Sequence, residues 1–276
     1  MVIDFHTHVY PDKIAARTLA ALCDAADVSA NTDGTLMGLL DSMARSGIDR
    51  SVVLPVATRA GQFDSITRFA RFINENYPSL TSFGAIHPDD VSREQKLQSL
   101  KDSGFLGVKL HPDYQQTMID DERYIDIICT CQRLGLVVLT HAGKDPAYSI
   151  VHCPPDRGRR MLDEVYRRTG FIDPFFVFAH LGGNRQQQEV ERYLVGQNCY
   201  IDISCAFQSI GHFSNSSDED VVRIIRAHGA EHILFATDSP WNDQKVYLDH
   251  FCALSALSDI EKEMILCHNA EALLNR

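Results

Sequence analysis

The sequence holds eight cysteines but no Cys-x-x-Cys pair, so it offers neither a zinc ribbon nor a redox dithiol. Most of the thiols lie inside apolar segments and read as reduced, buried side chains of a cytosolic protein. Cys153 departs from that pattern because it stands in a His-Cys-Pro-Pro loop, where a structural role is favoured over a nucleophile. Basic residues are in deficit, with 26 Lys and Arg against 37 Asp and Glu and a formal net charge of -11. That charge repels phosphate backbones and anionic membranes, and no basic stripe stands against it, so neither nucleic acid nor membrane is expected as a partner. No apolar run approaches the roughly 20 residues needed to span a bilayer. Met1 leads into a strand-like segment without a basic region and apolar core of the signal-peptide kind, so a cytoplasmic location is expected. Low-complexity tracts, fixed-period repeats and linker-like stretches are also missing, and residues 1–276 are expected to form a single domain. No heptad seam marks an interface, so a homodimer is only a general prior for a barrel with spare apolar surface.

What is present is an alternation of short apolar, β-rich runs with amphipathic stretches. Eight runs read as strands: Val2–His8, Ser51–Val56, Leu80–His87, Phe105–His111, Leu136–His141, Phe175–His180, Cys199–Ser204 and Ile233–Asp238. They are apolar throughout, as strands covered on both faces should be. Between them, helical spacing appears over Gly34–Gly47, Ile66–Tyr77, Arg93–Ser103, Arg123–Leu134, Arg159–Thr169, Gln187–Val195 and Asp218–His228. Pro78, Gly104, Gly135, Gly170, Gly196 and Gly229 follow closely as stops. Ser258-Asp-Ile-Glu261 reads as a capping box opening a last helix through Leu274. The pattern predicts an α/β protein, a (β/α)8 TIM barrel.

In such a barrel the reactive groups sit at the C-terminal ends of the strands. His6, His8, His87, Lys109, His111, His141, His180 and Asp238 all fall there. His6 and His8 alternate on one strand, so both imidazoles can aim at one point, which suggests a metal. Histidines paired only with buried hydrogen-bond partners would be the plainer reading.

As an ordered set, His6-Thr-His8, His141, His180-Leu-Gly-Gly, Ala-Thr-Asp238-Ser-Pro and the terminal Asn269-Ala-Glu-Ala-Leu-Leu resemble the amidohydrolase superfamily. The likeness is to its amidohydrolase-related branch, which includes aminocarboxymuconate semialdehyde decarboxylase and several hydrolases. That resemblance implies one Zn²⁺ held by His6, His8, His141 and Asp238 with a position left open. Imidazole and carboxylate donors also suit Mn²⁺ and Fe²⁺. It further implies that His180 handles the proton of a metal-bound water, with Asp238 as a second acceptor. A divalent metal lowers the pKa of bound water from about 15.7 to about 7 and polarises a carbonyl. In binuclear members a carboxylated lysine at strand four bridges two metals, and Lys109 stands at that place. One metal is favoured, with Lys109 instead holding a substrate oxygen as a point charge.

His111-Pro112 and His87-Pro88 read equally as loop histidines and as substrate contacts, and Arg59 is a candidate carboxylate clamp. The first half of the segment Lys144–Pro174 reads either as a lid or as an ordinary excursion. The leading expectation is a metal-dependent hydrolase acting on an amide, ester or lactone of a small anionic molecule. The alternative is a nonoxidative decarboxylase of a small carboxylic acid, using the same metal cage. A noncatalytic binding protein on an inherited barrel is the third reading, disfavoured because every expected ligand position is filled.

Overall fold

The computed structural model describes residues 1–170, 173–210 and 213–276. Among the described residues, nine parallel strand segments run in chain order: β1 (Ile3–Thr7), β2 (Arg50–Val53), β3 (Leu80–Ser82), β4 (Gly84–Ala85), β5 (Gly107–Leu110), β6 (Val137–Thr140), β7 (Phe176–Phe178), β8 (Tyr200–Asp202) and β9 (Ile233–Leu234). β3 and β4 are the two halves of one expected strand. The first half pairs with β2 and the second with β5. At the break, the Phe83 ring fills the space where a side chain on Gly107 would lie, 2.5 Å from the position of its Cβ. The first and last strands meet through single backbone bonds rather than a ladder: Phe5 N to Phe235 O at 2.9 Å, Asp238 N to His6 O at 2.8 Å and His8 N to Ser239 O at 2.7 Å. Eight strand positions thus follow one another in parallel around a (β/α)8 barrel.

Strand alternation divides the apolar residues into two layers. Ile3, Phe5, Val52, Leu54, Val137, Leu139, Val177 and Ala179 pack with one another and with the C-terminal helix inside the ring. Val53, Val108, Leu110, Val138, Phe176, Phe178 and Ile201 pack outward against the helices. Asp4, fully buried on the outer face, accepts from Thr237 N at 3.0 Å, Thr237 Oγ1 at 2.6 Å and Gln244 Nε2 at 2.7 Å. It fastens the first strand to the last.

The expected helices appear as α2 (Leu36–Ser46), α3 (Phe63–Asn76), α4 (Arg93–Asp102), α5 (Glu122–Leu134), α6 (Pro155–Thr169), α7 (Gln187–Tyr193) and α8 (Asp218–His228). The Ser258 capping box forms, with Ser258 Oγ accepting from Glu261 N and Glu261 accepting from Ser258 N. The last helix is interrupted: α10 (Asp259–Glu263) passes through a π-helical turn (Met264–His268) into α11 (Asn269–Leu274). Phe235 N reaches Ile265 O at 3.0 Å, so that turn takes up a backbone donor of the last strand. Two helices were not expected from sequence. α1 (Asp12–Ala26) has no side-chain cap to mark its start and buries only Ala15. α9 (Gln244–Ala253) buries Gln244 beside Tyr247, Leu248 and Phe251, a polar residue where periodicity wants an apolar one. Among the described residues, no helix is long and apolar enough to cross a membrane.

Candidate metal and substrate site

Alternation alone would not bring His6 into the barrel mouth, because Ile3 and Phe5 already occupy the inward positions of β1. The register between β1 and β2 shifts between Asp4 and Thr7, with one extra residue on β1. This bulge turns His6 inward, as bulges beside functional sites do. The His6 ring is 1% exposed and its Nδ1 lies 2.8 Å from Asp202 Oδ2. His8 directs its Nδ1 to the carbonyl of Leu54 at 2.7 Å.

These partners fix both tautomers. A carboxylate and a carbonyl can only accept, so each Nδ1 carries the proton and each Nε2 presents a lone pair. The two Nε2 atoms are 3.2 Å apart. Asp238 Oδ1 adds a third acceptor, 3.1 Å from His8 Nε2 and 3.5 Å from His6 Nε2. Of these three converging acceptors, only His6 Nε2 has a cationic donor, Lys109 Nζ at 3.1 Å, so the others repel and a cation at their centre removes the conflict. The donor set therefore fits a divalent metal, with Asp202 as the carboxylate that orients a metal-binding histidine. Lys109 Nζ, 3.1 Å from His6 Nε2 and fully buried, is a cation already beside it.

The electrostatics follow from burial and these contacts. Burial acts to raise the Asp238 carboxyl, and positive charge placed among the imidazoles of His6, His8 and His180 acts to lower it below the usual carboxylate range. Burial likewise opposes ionisation of Asp202, yet His6 and Ser204 bring it down to about 2. Burial lowers Lys109 to about 8, although Asp238 and Asp202 favour its charge. His180 is pushed down to about 4, chiefly by burial. It is thus neutral at physiological pH, below the ordinary histidine value.

His180 belongs to a chain of proton carriers. Ser204 Oγ gives its single proton to Asp202 Oδ1, so it accepts from His180 Nδ1 at 2.9 Å. His180 Nε2 is then an acceptor for His141 Nδ1 at 2.9 Å. This leaves His141 Nε2 bare and facing Asp113 Oδ2 at 3.4 Å, and among the described residues neither atom has a hydrogen-bond partner. Asp113 Oδ1 is engaged by His152, from its backbone N at 2.9 Å and Nδ1 at 2.8 Å. His111 stacks on His141 with ring centroids 4.3 Å apart and an interplanar angle of 7°.

Of the expected ligands, His6, His8 and Asp238 form one donor group within 4.8 Å, whereas His141 groups with His111 and Asp145 and reaches the first set through His180. Lys109 and His111 line the same cavity as the donors. Arg59 does not: it is exposed on the loop after β2, where Gln62 Oε1 accepts from its backbone, and it is not in the cavity wall. The expectation of a clamp there is corrected, because the loop turns its side chain to solvent. His87 is also outside the wall, with its Nδ1 taken by Asp89 N at 3.1 Å. In the 144–174 excursion, Asp145 and Pro146 form part of the wall, and residues 171 and 172 lie outside those described. Cys153 is buried and raised far above its ordinary value by burial, consistent with a structural thiol.

Sequence reasoning missed Asp202, Ser204, Asp113, Asp145 and Cys205. The first two carried a legible signal, since they alternate along Tyr200-Ile-Asp202-Ile-Ser204 with the polar residues on the inward face. Cys205, whose Sγ donates to Asp238 Oδ2 at 3.2 Å, is placed by a left-handed turn that no pattern announces. His180, Leu181, Cys205 and Asp238 all have positive φ, between 51° and 64°. Such strained exits cluster where side chains must be aimed. Gly143 shows the same crowding: a Cβ there would stand 2.0 Å from Asn184 N, at a φ of 80°.

The cavity has a volume of about 450 Å³ and opens from this floor between aromatic side chains of Tyr10, Tyr114, Phe213 and Trp241. That size suits a small organic molecule.

No curated protein matches the sequence. Among solved structures, an uncharacterized TIM-barrel protein from Bordetella bronchiseptica superposes with a TM-score of 0.74 at 19% identity, over 99% of this chain and 98% of that one. A 5-carboxyvanillate decarboxylase from Novosphingobium aromaticivorans, complexed with manganese and 4-hydroxy-3-methoxy-5-nitrobenzoic acid, gives 0.72 at 14% identity over 100% and 96%. A dihydroxybenzoic acid decarboxylase from Polaromonas, with bound manganese and 2-nitroresorcinol, gives 0.70 at 16% over 100% and 97%. At these identities the likeness establishes the barrel fold. The family model described as amidohydrolase matches residues 3–276, and with that match spanning nearly its whole length the chain belongs to the amidohydrolase family of enzymes.

Proposed function

We propose that this enzyme is a metal-dependent, nonoxidative decarboxylase of a small aromatic carboxylic acid. The observation that carries the reading is the convergence of His6 Nε2, His8 Nε2 and Asp238 Oδ1 on one point at the floor of an aromatic-walled cavity, with buried Lys109 beside them. The structurally similar decarboxylases bind nitro-substituted aromatic compounds alongside manganese, which favours decarboxylation over the hydrolysis expected first from sequence.

In this reading His6, His8 and Asp238 hold the metal, with His141 as the expected fourth ligand. Nitrogen and oxygen donors accept Mn²⁺ as readily as Zn²⁺, and the likeness to manganese-containing decarboxylases favours Mn²⁺. The metal supplies positive charge that draws an anionic substrate and withdraws electron density from it. Lys109 orients the carboxylate or an adjacent oxygen as a point charge. The aromatic walls exclude water from the reacting carbon. His180, aligned by Ser204, takes up a proton from solvent at Nε2 and hands it to the ring carbon that bears the carboxylate, with Asp238 as the neighbouring proton carrier. The C–C bond then breaks, its electron pair returns to the ring and carbon dioxide leaves.

The test is to incubate manganese-loaded protein with a panel of hydroxybenzoates in ¹⁸O-labelled water. Carbon dioxide released in step with loss of the acid, and no ¹⁸O in the aromatic product, is the expected result. Conversely, ¹⁸O entering the products of an ester, amide or lactone panel, with no carbon dioxide from any acid, would return the enzyme to the hydrolase reading.

A further inference from the structure

The cavity extends well beyond the histidine floor, into a cleft between α1 and α3. Ile14, Thr18, Leu22 and Ala26, spaced four apart, form one row on α1 that lines it. Ser65, Ile66 and Phe69 of α3 line the same cavity. The α1 row is not core: Ile14 is 39% exposed and Thr18, Leu22 and Ala26 are half-buried. Leu19 instead packs towards Gly34, so the helix is seated by a different row from the one facing the cavity. The charged residues of α1, among them Asp12, Lys13, Arg17 and Asp24, are exposed and absent from the cavity wall. All ionisable lining groups apart from the phenols, namely the histidines, Lys109, Asp145, Cys205 and Asp238, come from strand ends and the loops that follow them, and none from α1 or α3.

From this polarity we infer that the substrate is an amphiphilic acid: a carboxylate head on the histidine floor and an uncharged apolar arm lying between α1 and α3. The inference rests on the head-group reading given above for its orientation, but the arm site stands on the cleft itself. A small polar acid would leave the α1 row facing water, whereas an alkyl or aryl arm removes it from water together with Ile66 and Phe69. Leu22, central in the row, sets the length of arm accepted.

The test is calorimetric titration of the manganese-loaded protein with benzoate and its 4-alkyl derivatives up to hexyl, on wild type, Leu22→Trp and Lys109→Met. In wild type the affinity should rise about two- to four-fold per methylene. Leu22→Trp, with retained cooperative melting, should truncate that rise, because the indole fills the cleft. Lys109→Met should weaken every member while preserving the gain per methylene. Affinity independent of arm length in wild type, or a rise undiminished in folded Leu22→Trp, overturns the proposal. A preserved rise with no carbon dioxide released from any acid would sink the decarboxylase reading and leave the arm site standing.

Discussion

Asp202 Oδ2 and His6 Nδ1 meet at 2.8 Å across the barrel, although 196 residues separate them in the chain. The contact sets the His6 tautomer and therefore decides that Nε2, the atom facing His8 and Asp238, carries a lone pair. Asp202 does more than orient one ring, since its Oδ1 accepts from His180 N at 3.0 Å and from Ser204 Oγ. Asp202→Asn keeps the shape but removes the charge. Metal affinity is expected to fall about 10- to 100-fold. Competition with a chromogenic chelator measures it, and affinity equal to wild type would sink the orienting role.

Metal content is the second expectation. Protein purified without added metal should carry about one equivalent per chain by mass spectrometry, and His8→Ala should carry none while remaining folded. Two equivalents in the wild type would instead favour a carboxylated Lys109 bridging a pair of ions. Chelation should also lower the melting temperature, because the ion binds only the folded arrangement of the three donors. At a free concentration of about 100 times Kd the ion contributes ~2.7 kcal/mol, which corresponds to about 5 °C for a chain of this size. No shift on chelation would mean that the donors do not hold the ion.

Much of this arrangement was legible in the sequence, for a physical reason. Parallel strands buried on both faces give continuous apolar runs, and the polar residues that end them mark the barrel mouth, so His6, His8, Lys109, His111, His141, His180 and Asp238 could be assigned to strand ends, though not the inward turn of His6. What could not be read was whatever depends on backbone irregularity. Simple alternation points Asp4 and His6 to the same side, and only the bulge separates them. The direction of the Arg59 loop and the left-handed turn at Cys205 are likewise tertiary outcomes. α1 begins at Pro11 without a side-chain cap, so no capping signal announces it.

Lys109 separates substrate binding from metal binding. Its Nζ is fully buried and its nearest partner is a ring nitrogen, so its charge is available to an incoming carboxylate. Lys109→Met preserves the bulk of the side chain. Losing one partner of a buried charge pair costs about 2–5 kcal/mol, or ~30-fold and more in carboxylate affinity, while the single equivalent of metal should be retained. Calorimetry with benzoate and metal analysis on the same preparation test both halves. Unchanged benzoate affinity would remove Lys109 from the substrate site.

Far from the site, His228 should make stability depend on pH in a direction that its contacts dictate. Its Nε2 donates to Cys199 O at 2.9 Å, and its Nδ1 accepts from Gly196 N at 3.2 Å. Both contacts require the neutral ring, because a proton on Nδ1 would confront the Gly196 N–H. Burial, the largest influence, lowers the folded pKa below the ordinary 6.5, against the favourable pull of the Cys199 carbonyl. Between the lowered folded value and 6.5 the unfolded chain therefore binds more protons. The contribution is complete above about pH 6.5 and is lost as pH falls below it, by up to about 1.4 kcal/mol per pH unit until the folded ring titrates. His228→Gln keeps a donor and an acceptor but does not titrate. Urea unfolding of both proteins between about pH 5 and 7 should show a steeper fall in stability for wild type on acidification. Parallel stability curves would mean that His228 is protonated at the same pH in the folded and unfolded chains.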